Sequence, residues 1–145
     1  MVDTGLFENK VFDEIKTDLS NAFSNEFDNL SVYSEYVETP AGFPCVSFYM
    51  RNDTDYRSAN TIDKVGNRAD VTFECNIYTN GQLKKTNAKR IMKTINSTMN
   101  NLGFNRTFFN QIPNVDRSIF RITVRWNCTV SQTIETDKTN FFVYH

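Results

Sequence analysis

The sequence predicts a single two-layer α+β domain over residues 1–145, with two helices packed on one face of a mostly antiparallel sheet of four or five strands. Two segments have apolar residues at helical spacing, and several others alternate apolar and polar residues as half-buried strands do. Helices and strands that each have one apolar face bury it against one another in two layers. A chain of 145 residues is long enough to bury one such core. The predicted order of elements is αβββαββ.

Both predicted helices carry one apolar stripe, with polar residues on the opposite side. The first is predicted over residues 9–27, and its stripe consists of Phe12, Ile15, Leu19 and Phe23. The second is predicted over residues 83–102, with Gly103 at the position where a helix C-terminal cap is expected. Its stripe consists of Ala88, Ile91, Met92, Ile95, Met99 and Leu102.

Five segments have the composition or the alternation of strands, with turn residues between them. The clearest is 68–79, in which one face consists of Val71, Phe73, Cys75 and Ile77. The segment 118–133 alternates in the same way, so that Arg121 and Arg125 lie on its polar face and Trp126 on its apolar face. The strands are predicted at residues 30–37, 45–51, 68–79, 104–110 and 118–133.

Two segments fit neither pattern. Residues 52–70 are almost entirely polar, with Ile62 and Val65 as their only branched aliphatic side chains. This composition predicts either a long mobile loop or an extended hairpin arm. Residues 134–145 form a C-terminal tail that is polar at first and apolar at Phe141–Tyr144. Such a tail either orders on a neighbouring subunit or pairs as an edge strand within its own chain.

Charge and hydropathy argue against several classes of protein. The formal net charge is −1 and the basic residues are mostly dispersed, so no overall field attracts nucleic acid or an acidic membrane surface. No segment approaches the roughly 20 apolar residues of a membrane span, and the first ten residues lack the apolar region of a secretory signal. We therefore expect a soluble protein without a membrane partner.

The residues offer little for catalysis. The only histidine is His145, at the frayed end of the chain, which removes the usual serine–histidine and cysteine–histidine arrangements. Cys45, Cys75 and Cys128 lie far apart in predicted strands, and are expected to be reduced, buried thiols rather than zinc ligands. No glycine-rich phosphate-binding motif is present. We therefore predict no catalytic, metal-binding or cofactor-binding residues, and hence a protein that is not an enzyme.

One dense basic group occurs at the start of the second predicted helix, and consists of Lys84, Lys85, Lys89 and Arg90. It has two interpretations: a contact to an acidic partner or to DNA, or a solvated helix face. A run of charge without interleaved aromatic residues is a weak signal for nucleic acid, which favours the solvated face.

Several motifs follow one another in a recognisable order. After the first amphipathic helix comes a Pro-Ala-Gly-Phe-Pro turn at Pro40–Pro44, and then a strand of the type Asp70–Tyr78. A lysine-rich helix start at Lys84–Lys89, a turn and strand at Leu102–Thr107, and an arginine-rich alternating strand at Arg117–Val130 complete the series. In these motifs and their order, over most of its length, the chain resembles the siphophage tail terminator (tail completion) proteins.

The resemblance implies a hexameric ring of α+β subunits that caps the head-proximal end of the tail tube and stops its polymerisation. It implies three partners: further copies of the chain, the major tail tube protein and a head connector or head-completion protein. Such a protein is made in the bacterial cytoplasm and ends in the virion, and DNA passes through its lumen without sequence-specific contact. The terminal segment Phe141–His145 has no counterpart in the family pattern.

Two alternatives stay open at this point. One is a head-completion or connector adaptor that binds the portal side, and the other is a nucleic-acid-binding domain of ferredoxin-like type whose strand aromatics stack bases. For an assembly protein, the polar segment, the polar strand face and the apolar tail are the expected contact regions. The candidate interface residues are Asp53, Asp55, Arg57, Asp63, Lys64, Arg68, Arg121, Arg125, Phe141 and Phe142.

Overall fold

Two helices and a mixed β-sheet make up the part of the chain that the computed structural model describes, namely residues 4–55, 68–135 and 138–144. The predicted α+β class and two-layer arrangement are confirmed. The elements in chain order are α1 (Thr4–Phe23), β1 (Ser31–Tyr33), β2 (Cys45–Asp55), β3 (Arg68–Asn80), α2 (Lys84–Asn101), β4 (Asn105–Gln111), β5 (Ile119–Glu135) and β6 (Lys138–Tyr144).

The sheet follows the path β1-β2-β3-β5-β4, and β6 pairs with the remaining part of β5. Strands β1 and β2 are parallel, while the other pairs are antiparallel. Strand β6 resolves the choice left open for the apolar end of the C-terminal tail, because Lys138–Tyr144 pair within the chain as a strand.

Helix α1 begins earlier and ends earlier than the periodicity at residues 9–27 predicts. Its buried residues recur at every fourth position, and they are Phe7, Val11, Ile15, Leu19 and Phe23. Phe12, which was assigned to the stripe, is instead partly buried beside it. The i to i+4 spacing places one residue per turn on the same side of the helix, so this side faces the sheet over the full length of α1.

The core between the helices and the sheet is built around aromatic rings. Phe73 of β3 lies at its centre: its ring stacks on Phe48 with centroids 5.2 Å apart and meets Phe104 edge-on at 5.4 Å. Trp126 of β5 lies 6.2 Å from Phe48 and donates its indole N–H to the side-chain oxygen of Asn96, at 3.0 Å. Both helices contribute to this one core, so they lie on the same face of the sheet.

The opposite face of the sheet is polar, and the connection between β1 and β2 covers one end of it. The Ser47 hydroxyl donates to the carbonyl oxygen of Glu35 at 2.6 Å, and the Tyr78 hydroxyl donates to that of Val37 at 2.8 Å. Tyr78 therefore lies on the face away from the helices, as the alternation predicts, yet it is only 1% exposed.

The three cysteines are free and buried, as the sequence predicts. Cys75 and Cys128 belong to the core beneath the helices, whereas Cys45 pairs with Tyr78 on the covered part of the polar face. Burial raises the pKa of Cys45 to about 11 and that of Cys128 to about 12, and it also raises the pKa of Cys75. All three thiols are thus protonated, and poor nucleophiles, near neutral pH.

The central position of Phe73 leads to a first prediction. Phe73→Ala removes a fully buried ring and leaves a cavity, so we expect it to lower the free energy of unfolding by about 3–5 kcal/mol. The matched control is Phe109→Ala on edge strand β4, where the ring is 44% exposed. The control should cost about 1 kcal/mol or less. Urea unfolding followed by circular dichroism measures both; equal losses would contradict this account of the core.

The buried thiols lead to a second prediction. In the native protein, a thiol-specific disulfide reagent near pH 7 should modify none of the three cysteines rapidly, and in denaturant it should titrate all three. Replacing the three with Ser or Ala should cost on the order of 1–2 kcal/mol per site through lost packing, and leave association intact. Rapid modification of the folded chain would show that the thiols are accessible.

Candidate functional site

The polar segment and the C-terminal strand come together at one end of the sheet, which we call the hairpin end. At this end β2, β3, β5 and β6 lie side by side, and one row across them consists of Asp55, Ala69, Val130 and Val143. Ala69 and Val130 are buried, and Val143 packs against the core. The base of the hairpin end is therefore anchored to the domain.

Three of the candidate interface residues belong to paired strands at the hairpin end. Asp53 pairs with Val71, and Asp55 with Ala69, in β2 and β3. Arg68 pairs with Ser131 of β5. The described ends of the polar segment thus form strands, which favours the hairpin arm over the loop for these residues. Arg57, Asp63 and Lys64 lie outside the described residues.

Two further candidates, Phe141 and Phe142, belong to β6, where they pair with Gln132 and Ser131. Ser131 also pairs with Arg68, so the register brings Arg68 and Phe142 onto the two sides of one residue of β5. That the polar segment and the C-terminal tail are neighbours could not be predicted from the sequence, since it depends on the pairing of β5.

On the polar face, Glu74 of β3 is the centre of a hydrogen-bonded cluster that we call the Glu74 network. Its Oε1 accepts from Nε of Arg125 at 2.8 Å, and its Oε2 accepts from the Tyr49 hydroxyl and, at 3.4 Å, from Asn76. The guanidinium of Arg125 also lies over the ring of Phe108, with its carbon 4.7 Å from the ring centre. Arg125, a candidate interface residue, is therefore held within its own subunit.

Arg121, the other candidate on this face, is held in a different way. Its Nε and Nη2 donate to the side-chain oxygen of Asn76 at 3.3 and 2.9 Å, and its guanidinium lies over the ring of Tyr78. The Thr123 hydroxyl donates to the same oxygen at 2.7 Å. Asn76 is a neutral acceptor, so this contact is a hydrogen bond and not an ion pair.

Glu74 is 7% exposed, yet it is ionised. Burial opposes the charge, but the hydrogen bonds from Tyr49, Arg125 and Asn76, with the nearby Arg125 charge, outweigh it and lower the pKa of Glu74. Desolvation, aided by the Glu74 carboxylate, raises the pKa of Tyr49, which therefore stays protonated as a donor. The cluster is therefore an ion pair whose hydrogen bonds stabilise the charged form of Glu74, and not a group ready to take up or release a proton near neutral pH.

A contact from helix α1 protects part of one edge of the sheet, and the sequence alone does not reveal it. The carboxylate of Glu8, on α1, accepts the backbone N–H of Met50 on β2 at 2.9 Å. An unpaired N–H at a sheet edge can pair with another chain, and a side-chain acceptor removes it from that role. Glu8 lies four residues before Phe12, beside the buried side of α1, and its partner is visible only in the structure.

Across residues 4–55, 68–135 and 138–144, no group of three His, Cys, Asp or Glu side chains lies close enough together to hold a metal ion. Neither helix in those ranges combines the length and the apolar character needed to cross a bilayer. Neither a protein-family model nor a curated protein matches the chain.

The Glu74 network leads to a third prediction. Since the pKa of Glu74 is lowered on folding, its stabilising contribution is fully present above its unfolded pKa and is lost as the pH falls through the folded value. At neutral pH, Glu74→Gln should cost about 1–3 kcal/mol, because Arg125 loses its charged acceptor. The difference from the wild type should shrink as the pH is lowered below 4.5, the ordinary value for Glu74.

The matched control is Glu26→Gln, which removes the carboxylate of the solvent-exposed ion pair with Arg90. We expect a smaller change in stability, since exposed ion pairs contribute little. Urea unfolding at several pH values measures both variants. A pH-independent loss for Glu74→Gln would show that the charge of Glu74 does not stabilise the fold.

Proposed function

We propose that this chain is a structural subunit of a phage tail: a tail terminator that forms a ring, most simply hexameric, on the head-proximal end of the tail tube. The proposal rests on the resemblance in the sequence motifs and on one structural observation. That observation is the hairpin end, where the polar segment and the C-terminal strand, the two segments expected to make subunit contacts, are neighbours in the sheet.

The hairpin end suits a contact between copies because of its polarity. Asp53 and Asp55 lie on the outer strand β2 of this end, and Arg68 lies on β3 beside it. Both signs of charge at one end can pair with the same end, or with another surface, of a neighbouring subunit. A contact between two different surfaces generates a ring when its rotation closes, as the proposed assembly requires.

The edges of the sheet offer a second means of association. Strand β4 lies at one edge, pairs only with β5 among the described residues, and is exposed along nearly all of its length. Its backbone groups are available to an added strand. On the opposite edge, the Glu8 contact to Met50 covers one N–H of β2.

A structural role also accounts for the polar face. As a buried acidic residue, Glu74 is the first candidate for a general acid or base. It is hydrogen-bonded to Tyr49, Asn76 and Arg125 within the sheet. These bonds stabilise the ionised form, whereas a general acid or base near neutral pH needs its pKa moved toward that value. We therefore propose a protein that is not an enzyme and works without a cofactor.

The nucleic-acid-binding alternative has less support. A base-stacking surface needs several exposed aromatic rings side by side on the open face of the sheet. On that face Tyr78 is covered by the residues before β2, and Phe108 lies beneath Arg125. The connector-adaptor alternative would use the same surfaces as a terminator, and differs from it in the partner alone.

The test of the ring proposal shortens the hairpin end. Residues 56–68 are replaced by Asn-Gly, so that Asp55 and Ala69, which pair across the strands, directly flank a favoured two-residue turn. We expect a folded monomer that does not form rings with the major tail tube protein of the same genome and leaves tails of uncontrolled length. Light scattering and electron microscopy measure the two outcomes.

The matched control is Val115→Ser, at a fully exposed position in the connection between β4 and β5, at the opposite end of the sheet. It should leave rings and tail length as in the wild type. Normal rings from the shortened variant, with unfolding unchanged, would show that the hairpin end makes no contact between subunits. If the wild type forms no rings with the tube protein, the proposed function itself is wrong.

A further inference from the structure

A basic pocket lies at the end of the sheet opposite the hairpin end, where Asn80 of β3 pairs with Ile119 of β5. It has a volume of about 270 Å³ and lies between the first turn of α2 and the connection from β4 to β5. Four of the residues that line it have cationic side chains, and they are Lys84, Lys85, Arg117 and Arg121. The sequence marked the two lysines as part of a charged helix face, but not the two arginines that join them.

These positive charges lack carboxylate partners in the described parts of the chain, where the two ion pairs are Arg90–Glu26 and Arg125–Glu74. Lys84 instead donates its Nζ to the carbonyl oxygen of Arg117 at 3.0 Å, which ties the connection to the helix. Arg121 uses Nε and Nη2 on the neutral Asn76.

One acid, Asp116, lies near the pocket and is already engaged. It accepts the Ser118 hydroxyl at 2.7 Å and the Ser118 backbone N–H at 2.9 Å. These bonds, followed by the charge of Lys84, hold the pKa of Asp116 below its ordinary value. A single carboxylate against four cations leaves the pocket with an excess of positive charge.

The backbone of α2 adds to this positive potential. The N-terminal position Leu83 provides no side-chain cap, and the first turn contains no acidic residue. The N–H of Lys84 bonds to Gly81 and that of Asn87 to Leu83, while the N–H groups of Lys85 and Thr86 have no acceptor among the described residues. Free N–H groups and the helix dipole favour an anion beside the first turn.

We propose that the basic pocket binds a short acidic segment of a partner protein, with one or two carboxylates between Lys85, Arg117 and the first turn of α2. Carboxylates accept charge-assisted hydrogen bonds from such donors, and arginine can bind them through two parallel bonds. Ile112 and Pro113 also line the pocket and provide an apolar wall for a side chain next to the carboxylate. The partner segment is therefore acidic and partly apolar.

The shape and surroundings of the pocket favour a peptide over a nucleic acid. A volume of about 270 Å³ holds one or two side chains. Phe120, the aromatic residue of the lining, is 5% exposed and cannot stack a base. The chain as a whole has a net charge of −1, so no overall positive field attracts a polyanion.

Within the ring proposal the basic pocket would be the docking point for a neighbouring tail or connector protein, and to that extent the inference rests on the proposed function. Its test is nevertheless separate, because binding of a peptide is measured on the isolated chain. Loss of rings after shortening the hairpin end and loss of peptide binding can each occur without the other.

The experiment uses the peptide Gly-Glu-Leu-Glu-Gly, labelled with fluorescein, and its counterpart in which both Glu are Gln. Fluorescence anisotropy compares the wild type with Lys85→Ala/Arg117→Ala and with the matched control Lys89→Ala/Lys93→Ala. The control removes the same charge from exposed positions of α2 that do not line the pocket. Amide NMR of the wild type reports whether Lys85 and Thr86 shift on binding.

We expect the acidic peptide to bind at least about tenfold more tightly than its Gln counterpart, and the pocket variant to lose about tenfold in affinity. The control variant should lose less than about twofold. Equal losses in both variants, no binding to the wild type, or unshifted Lys85 and Thr86 amides would each overturn the proposal. Tighter binding of a short thymidine oligonucleotide, lost in the pocket variant, would overturn it in favour of nucleic acid.

Discussion

The pairing of β5 is the constraint on which the rest of the structure depends. One edge of this strand pairs with β3 and the other pairs with β4 and then with β6, so a single strand sets the position of three others. Side chains alternate between the two faces, so its register places Trp126 in the core and Arg125 on Glu74 at the same time. A slip of one residue would bury the arginine and expose the indole, which makes the register strongly specified.

The polar face reinforces that register. Glu74 and Asn76 are buried polar residues, and a buried polar group without its partners costs free energy, so only the register that provides Tyr49, Arg121 and Arg125 is favourable. The helices close one face, and the residues before β2 close part of the other. Of the sheet itself, what remains for contacts with other molecules is chiefly its edges and its two ends.

The sequence predicted the parts that periodicity controls: both helices, the strands around Phe73 and Trp126, and the two layers. The contacts that depend on how the strands pair could not be predicted in the same way. Asp53 and Asp55 lack apolar alternation, so the sequence alone does not choose between a loop and a hairpin arm for them, whereas a backbone ladder at the end of a sheet does not require that alternation. The acceptor role of Glu74, the link between Arg68 and β6, and the meeting of Arg117 with Lys85 all bring together residues that are distant in the chain. A single sequence does not specify those contacts.

The two ends of the sheet are far enough apart to act independently. Strand β3 joins the hairpin end to the basic pocket and contains 13 residues. At about 3.4 Å per residue it spans roughly 40 Å. Charges that far apart are screened from one another, because the Debye length at physiological salt is about 8 Å. The charges of the two ends therefore act independently of one another. Under the proposals made above, one subunit would bind a copy of itself at one end and an acidic partner at the other. A ring made of such subunits would present the same basic pocket once per subunit, so weak binding to each would add up across the ring.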